Sequence, residues 1–231
     1  MSFHAEHLSE PRQRIIHVIK SNGAASMSEI ASVLDISGEG VRQHLLQLER
    51  DGWVSRFAEK NNGIGRPHIR YHLTTAGEHL FEKNYDHLTI EVLDTMVNHL
   101  GESALKQVLS AMIEERVREW EPKLAGLTTL ERLYALKDFY MKSDFYMEVV
   151  QKGEEYYLIE RNCPFHNVAL KRPILCSVTV SVLTLLLGCT VNRVQRLQNG
   201  DGCCAFHVQL NEPVDGNTPR IIMEDEKSNS K

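Results

Sequence analysis

Five cysteines in the C-terminal third of the chain are the residues whose type is best suited to chemistry. They are Cys163, Cys176, Cys189, Cys203 and Cys204. Thiolates bind metals, act as nucleophiles and respond to oxidation. Structural zinc usually takes pairs of cysteines separated by about two to four residues, and no pair here has that spacing. Wide spacing requires ligands from separate elements, which suits a larger iron–sulfur cluster better than a single zinc ion.

The composition of the 231 residues is that of a water-soluble protein, with 42% hydrophobic and 25% charged residues. The N-terminus lacks the cationic-then-apolar pattern of a secretory signal, and the longest apolar run, ILCSVTVSVLTLLLGC, is too short and too hydroxylated to span a bilayer. We therefore expect a cytoplasmic protein with no membrane partner. In a reducing compartment an odd number of cysteines indicates thiols that are buried, reactive or metal-bound.

Three predicted elements carry these thiols. The segment YMEVVQKGEEYYLIERN predicts two strands about a Lys-Gly turn, residues 174–187 predict a buried helix, and TVNRVQRLQNGDGCCAFHVQL predicts a hairpin that turns at NGDG. We therefore expect a cysteine-containing α+β domain at residues 127–211. A polar tail without a packing signal follows at residues 212–231.

These elements are predicted to position the thiols differently. Cys163 is expected to end the second strand, Cys176 to open the buried helix, and Cys204 to lie on the apolar face of the last strand. Cys189 is expected at the far end of the helix, about 20 Å from Cys176 by helical rise. This distance makes Cys189 a weaker candidate for a ligand in the same site. Any of these thiols could instead fill a core, because free cysteine is among the most buried residue types.

Upstream, the pattern is helical. Residues 81–126 predict two amphipathic helices, with apolar positions Leu88, Val92, Leu93, Met96, Val97 and Leu100 on the first and Leu105, Val108, Leu109, Met112 and Ile113 on the second. Such a segment is typical of a dimerisation element. Packing of both helices against their own domain explains the pattern equally well.

The first 80 residues predict a winged helix-turn-helix. PRQRIIHVIKS, SMSEIASVLDI and VRQHLLQLERDG have the apolar spacing of three helices, the second with a capping box, and two strand-like pieces flank the polar loop KNNGIGRPHI. In a winged helix the third helix enters the major groove of DNA and the hairpin contacts the backbone or the minor groove. The alternative is a three-helix module that binds protein.

Candidate DNA-reading residues follow from this arrangement. Burial of the apolar face of the third helix leaves Ser37, Glu39, Arg42, Gln43 and His44 near its start and on its outer face. Arginine can bond guanine bidentately, and glutamine can do the same to adenine.

The predicted wing supplies a further cation. Arg66 stands between a flexible Gly-Ile-Gly and a stiff proline, which suits insertion into a narrow minor groove. The net charge of the chain is −5, but residues 53–73 carry a local basic surplus. Residues 11–80 resemble winged-helix repressors of the ArsR and DeoR type, above all in IGRPHIRYHLTTAGEHLF.

The cysteine segment resembles a more specific family. CPFHNVALKRPILC and LLGCTVNRVQRLQNGDGCCAF are similar to the sensor region of SufR proteins, winged-helix repressors of iron–sulfur cluster assembly genes. The resemblance implies a homodimer that binds a palindromic operator and holds a [4Fe–4S] cluster. It assigns Cys163, Cys176 and Cys204 as cluster ligands, and leaves the fourth open between Cys189 and His166.

The sequence thus predicts an α+β transcriptional regulator, not an enzyme, in which cluster loss weakens DNA binding. One alternative is a winged-helix regulator that senses thiol oxidation or a small molecule without a cluster, using the adjacent Cys203 and Cys204. A second is an enzyme with a Cys163–His166 pair. The enzyme alternative lacks a visible third orienting group and leaves the winged head unexplained.

Overall fold

The structure of the protein is a computed structural model. It describes residues 8–59, 67–143, 145–215 and 218–223. The chain forms two compact units, Met1–Asn84 and Tyr85–Lys231. In the described part of the chain no helix combines the length and the hydropathy needed to cross a membrane.

The N-terminal unit follows the predicted order of three helices and a hairpin. Its elements are α1 (Glu10–Asn22), β1 (Ala25–Ser26), α2 (Met27–Leu34), α3 (Gly38–Arg50), β2 (Val54–Glu59), β3 (His68–Leu73) and α4 (Thr75–Glu78). The strands form an antiparallel sheet in the order β1-β3-β2. The sequence did not predict β1, because two residues carry no alternation pattern.

Side-chain caps fix where the two central helices begin. Ser26 accepts a hydrogen bond from the backbone N–H of Glu29, and the Glu29 carboxylate accepts one from the backbone N–H of Ser26, which confirms the predicted capping box of α2. Ser37 caps α3 by accepting from the backbone N–H of Gly40. Each cap satisfies helix-end donors that would otherwise lack partners.

An apolar core holds this unit together. Its fully buried members are aliphatic: Ala25 on β1, and Ile15, Ile16, Ile19, Ile30, Val41 and Leu48 on the three long helices. Gly77 in α4 permits a close backbone approach, because a Cβ at this position would lie 2.1 Å from the carbonyl oxygen of Trp53. The hairpin and α4 can therefore close over the core only with glycine at this position.

The C-terminal unit has mixed architecture. Its elements are α5 (Tyr85–Leu100), α6 (Glu102–Trp120), α7 (Thr129–Met141), β4 (Met147–Lys152), β5 (Glu155–Glu160), α8 (His166–Lys171), α9 (Cys176–Leu187), β6 (Cys189–Gln195) and β7 (Cys204–Pro213). The strands form an antiparallel sheet in the order β4-β5-β7-β6. With the winged-helix unit, this gives the predicted α+β fold class.

One core spans the sheet and the helices of this unit. Leu158 and Phe206 are opposite each other on β5 and β7 and are fully buried. α9 is buried around most of its circumference, which confirms the predicted buried helix. The short helix α8 was not predicted, since its six residues are too few for a periodic signal.

The predicted polar tail differs from the structure. Within residues 212–231, β7 continues to Pro213, and Ile221 and Ile222 pack against the core. The backbone N–H of Ile222 donates to Ser181 Oγ on α9 at 2.8 Å. Two isoleucines among polar residues form no helical or strand periodicity, so their packing against the apolar core of the domain was not predicted.

The two helices of the predicted 81–126 segment have two different faces. Leu93, Leu105, Leu109 and Ile113 are buried in the same core as the sheet, so α5 and α6 pack within their own unit. The opposite positions stay open: Leu88 is 57% and Val92 52% exposed on α5, and Val108 is 42% and Met112 45% exposed on α6. We call these four residues the apolar stripe.

Candidate nucleic-acid interface and thiol cavity

The outer face of α3 carries a connected set of polar side chains. Glu39 accepts two hydrogen bonds from Arg42, at 2.8 and 2.7 Å, and one from Gln43 Nε2 at 2.8 Å. These bonds lower the pKa of the Glu39 carboxyl to about 2. All three side chains are exposed, Ser37 is exposed and caps the helix, and His44 is half-buried.

The residues predicted to read DNA lie near the start of α3 and on its outer face. Arg42 and Gln43 lie on the first turns of α3, from which a recognition helix contacts base edges. The Glu39 carboxylate occupies donor groups of both side chains that would otherwise be free to bond a base edge.

The arginines of the hairpin differ in exposure and in hydrogen bonding. Arg56 is exposed, with Glu49 at 3.5 Å. Arg70 is instead bonded to the carbonyl oxygen of Ala24 at 2.7 Å, and therefore ties β3 to the segment before β1. The predicted minor-groove residue Arg66 lies outside the described residues.

Three of the five thiols line a single cavity. Cys163 lies in the loop after β5, Cys176 is the first residue of α9, and Cys204 is the first residue of β7. The cavity has a volume of about 250 Å³. That is far above the ~10–15 Å³ that one water molecule requires. The prediction that Cys163 ends a strand is wrong by three residues, because β5 stops at Glu160.

The other two thiols lie elsewhere. Cys189 is buried at the start of β6 and is not among the cavity-lining residues. Cys203 also does not line the cavity, and its thiol lies 3.6 Å from Gln195 Oε1. His166, the other predicted fourth ligand, does line the cavity and is half-buried at the start of α8.

Polar groups that the sequence analysis missed complete the cavity wall. Gln198 Nε2 donates to Cys176 Sγ at 2.9 Å. Arg193 donates to the carbonyl oxygen of Cys176 at 2.9 Å, lies 4.0 Å from Cys204 Sγ and sits over the Phe206 ring. The cation and the amide therefore hold two of the thiols from the side of β6.

Glu160 is the most unusual of these groups. It is 3% exposed and lines the cavity. Burial raises its pKa to about 7, against the opposing effects of Arg193 and of a hydrogen bond with Cys163. The signal in the sequence was strand alternation: Tyr156, Leu158 and Glu160 share one face of β5, so a carboxyl occupies a position where a core residue is expected.

Burial disfavours the thiolate form of two of the cavity thiols, Cys163 and Cys204. Burial, followed by the nearby Glu160 charge, raises the pKa of Cys163 to about 12. Burial also raises the pKa of Cys204, although Arg193 opposes it. In the described part of the chain no three His, Cys, Asp or Glu side chains converge closely enough to hold a single metal ion.

A bound cluster fits this donor set. Cluster irons lie several ångströms apart and take thiolates from separate elements, which is how Cys163, Cys176 and Cys204 are placed around the cavity. A coordinated cation deprotonates a thiol outright, so the raised pKa values of Cys163 and Cys204 lower the affinity at a given pH but do not prevent ligation.

Comparisons with known proteins give two family matches. Residues 90–209 match the family described as Methanogen output domain 1, and residues 8–55 match a winged helix-turn-helix DNA-binding family. The first match contains α6, strands β4 to β6, the first part of β7 and all five cysteines. A comparison with curated proteins gives no significant match. Neither family description names an iron–sulfur cluster or the SufR family, so both stay predictions.

Solved structures resemble the chain only over about half its length. Transcriptional regulator PA4135 is 24% identical, with 48% of this chain and 78% of that chain covered and a TM-score of 0.30. An E. coli MarR mutant complexed with operator DNA is 22% identical over 44% and 75% of the two chains, with a TM-score of 0.29. The adhesin competence repressor of Streptococcus pyogenes is 17% identical over 52% and 84%, with a TM-score of 0.29. We infer nothing further from similarities of this size.

The Methanogen output domain 1 match spans more than half of the chain and coincides with the unit that holds the thiol cavity. The N-terminal match coincides with the helices that present Arg42 and Gln43. The chain therefore belongs to the Methanogen output domain 1 family, and carries this domain after the winged helix-turn-helix head of a DNA-binding regulator.

Proposed function

We propose that this protein is a homodimeric transcriptional repressor of iron–sulfur cluster assembly genes, whose affinity for a palindromic operator depends on a bound [4Fe–4S] cluster. One observation carries the proposal: Cys163, Cys176 and Cys204, from three separate elements, line the same cavity. The sequence resemblance to SufR proteins supports the cluster type, the gene class and the direction of regulation.

The three thiols would hold the cluster at the junction of the main elements. Cys163 fixes the loop between β5 and α8, Cys176 fixes the start of α9, and Cys204 fixes the start of β7. The bound group supplies thiolate–iron bonds that oxygen or nitric oxide can break. Without it, these three elements lose a common anchor and keep only their packing contacts.

The helices of the apolar stripe connect the cavity with a surface for a second copy. Thr89 on α5 and Met112 and Arg116 on α6 line the cavity. Met112 also belongs to the apolar stripe, so one side chain contributes to both. Exposed apolar side chains repeated at i and i+4 on two helices favour association with a like surface. A change in the cavity wall therefore reaches the proposed dimer helices directly.

Direct thiol oxidation explains the cavity less well. The thiolate is the form that oxidants attack, and burial raises the pKa of Cys163 to about 12 and also raises that of Cys204. The adjacent residues Cys203 and Cys204 also have thiols in different surroundings, since Cys204 lines the cavity and the Cys203 thiol lies beside Gln195. A sensor built on these thiols would react slowly.

The first test is the ultraviolet–visible spectrum of the protein purified without oxygen, with iron and sulfide assays on the same sample. We expect a brown protein with a broad thiolate-to-iron charge-transfer absorption and equal iron and sulfide contents. A colourless protein that cannot be reconstituted with iron and sulfide contradicts cluster binding and leaves a small-molecule or thiol sensor.

The second test links the cluster to DNA. Duplexes selected from a random-sequence pool by the anaerobic protein are titrated with the cluster-loaded and the cluster-free forms at fixed salt, because protein–DNA affinity depends steeply on salt. We expect tighter binding by the loaded form and two-fold symmetric selected sites. Equal affinities of the two forms would show that the cluster does not control DNA binding.

A further inference from the structure

The proposed cluster needs a fourth ligand beyond the three thiols. Of the two predicted candidates, Cys189 is buried at the start of β6 and does not line the cavity. His166 lines the cavity, but it is half-buried on a six-residue helix. The cavity wall holds another group that iron accepts, the carboxyl of Glu160.

Glu160 lies in the same cavity wall as the three thiols. It is hydrogen-bonded to Cys163. It is also the register partner of Cys204 across the β5–β7 ladder. Directly opposite residues on adjacent strands have their Cβ atoms about 4.5–5.5 Å apart and their side chains on the same face. The carboxyl is therefore bonded to the loop thiol and shares a face of the sheet with the strand thiol.

The burial of this carboxyl is unusual among the described residues. Among the described residues Glu160 is the only charged side chain that is buried; the other buried polar side chains are Ser177, Ser181 and Thr184. A buried carboxylate is costly unless it is paired or coordinates a metal. On the same face of β5, the preceding inward residue is the fully buried Leu158, which shows that an apolar side chain fits this face.

We propose that Glu160 supplies the fourth ligand of the cluster through a carboxylate oxygen. This inference rests on the proposed function, because it requires that a cluster binds at Cys163, Cys176 and Cys204. Three irons then have thiolate ligands and one has an oxygen ligand. The oxygen-bound iron is the one expected to leave first on oxidation, since thiolates are the preferred ligands of cluster irons.

The test compares two substitutions of Glu160 with two controls. Glu160→Gln keeps the size but removes the anionic oxygen, and Glu160→Cys supplies a fourth thiol. Glu154→Gln changes an exposed carboxylate in the turn between β4 and β5. His166→Ala removes the competing ligand. Each anaerobic protein is loaded with ⁵⁷Fe and sulfide, assayed for both, and measured by Mössbauer spectroscopy before and after brief exposure to air.

We expect the wild type and Glu154→Gln to show one iron site distinct from three similar sites. Glu160→Cys should make the four sites alike and slow the loss of iron in air. Glu160→Gln should lose one iron in four before the wild type does, with the electron paramagnetic resonance signal of a three-iron cluster. His166→Ala should behave as the wild type.

Two results would overturn the inference while leaving the proposed function intact. One is a wild-type cluster whose distinct site persists in both Glu160→Gln and Glu160→Cys. The other is loss of the distinct site in His166→Ala alone, which would assign the ligand to His166. Absence of any cluster in the wild type would overturn both proposals. If Glu160→Gln does not fold, as judged by circular dichroism, the Glu160→Cys spectrum decides.

Discussion

The two units of the chain differ in the burial of their candidate functional side chains. In the N-terminal unit the candidate DNA-reading side chains, Glu39, Arg42 and Gln43, are exposed, and the fully buried core is aliphatic. In the C-terminal unit the thiols of Cys176 and Cys204 belong to the buried interior. All the buried polar and charged side chains of the described residues also lie in this unit.

This difference has a physical consequence for how each unit can change. Exposed side chains such as Arg42 can exchange one hydrogen-bond partner for another without altering the packing of the helix that carries them. A site made of core residues cannot change its contacts in this way, because adding or removing a bound group alters the close packing of the interior. We therefore expect that substitutions can alter the proposed DNA sequence preference and the proposed response to cluster loss separately.

The largest expected effect comes from two adjacent thiols with different surroundings. Cys204→Ser should reduce bound iron and sulfide to background, because a serine hydroxyl is a poor ligand for cluster iron. Cys203→Ser is the matched control and should keep both, since Cys203 does not line the cavity. Iron and sulfide assays on anaerobically loaded protein make the measurement. Equal losses in the two variants would contradict the assignment of the interior site to Cys204.

The buried hydroxyl of Tyr140 tests the polar interior without touching the cavity thiols. Tyr140 is 2% exposed, and burial raises its pKa to about 12. Between the ordinary value of 10.0 and about 12 the unfolded chain releases a proton that the folded chain keeps. Stability is therefore lost as pH rises through this window, by up to about 3 kcal/mol.

Tyr140→Phe should remove this alkaline loss of stability. Urea unfolding followed by Trp120 fluorescence across the pH window measures it, because Trp120 packs on Tyr140 with ring centroids 5.2 Å apart. Tyr85→Phe, at an exposed position on α5, is the control and should follow the wild type. An alkaline loss unchanged in Tyr140→Phe would show that other groups cause it.

On the surface of the N-terminal unit a smaller effect is expected. Arg42→Ala should weaken binding to the selected operator by about 1–3 kcal/mol, the value of one good bidentate base contact. Arg14→Ala removes the same charge from an exposed position on α1 and should cost less. Fluorescence anisotropy at fixed salt compares them. If both variants lose the same affinity, Arg42 acts through its charge alone and does not read a base.

The three long helices and the hairpin of the N-terminal unit were predictable because each has a local sequence signal, which the two-residue strand β1 lacks. Ser26 and Glu29 mark the start of α2, and the helical spacing of Val41, Leu45 and Leu48 separates the buried face of α3 from the reading face. The strands of the hairpin were also predicted. The capping role of Ser37 and the bonds of Glu39 to its neighbours depend on side-chain geometry, which a periodic pattern does not contain.

The C-terminal unit was predictable in its elements but less so in its site. Strand and helix patterns gave β5, α9 and β7, and therefore the approximate places of Cys163, Cys176 and Cys204. Their meeting around one cavity depends on the strand order β4-β5-β7-β6, which local patterns do not specify. The proposed ligand role of Glu160 was not predicted, because the candidate ligands in the sequence were thiols and an imidazole.

The smallest expected effects test whether the two cores respond separately. Ser26 caps α2 in the N-terminal unit and Thr128 caps α7 in the C-terminal unit, each in a capping box. Replacing either cap by alanine should cost about 1 kcal/mol. That loss corresponds to a fall in melting temperature of about 4–8 °C for a unit of the smaller size and about 2–4 °C for the larger.

The two tryptophans allow each core to be followed alone. Trp53 belongs to the N-terminal unit and Trp120 to the C-terminal unit, so Trp53→Phe and Trp120→Phe backgrounds give one reporter each. Ser26→Ala should shift only the Trp53 melting curve, and Thr128→Ala only that of Trp120, because each capped helix packs into a different core. If either substitution moves both curves equally, the two cores unfold together. A change in the stability of the thiol cavity would then alter the stability of the DNA-binding unit as well. This route would act in addition to the proposed dimer helices.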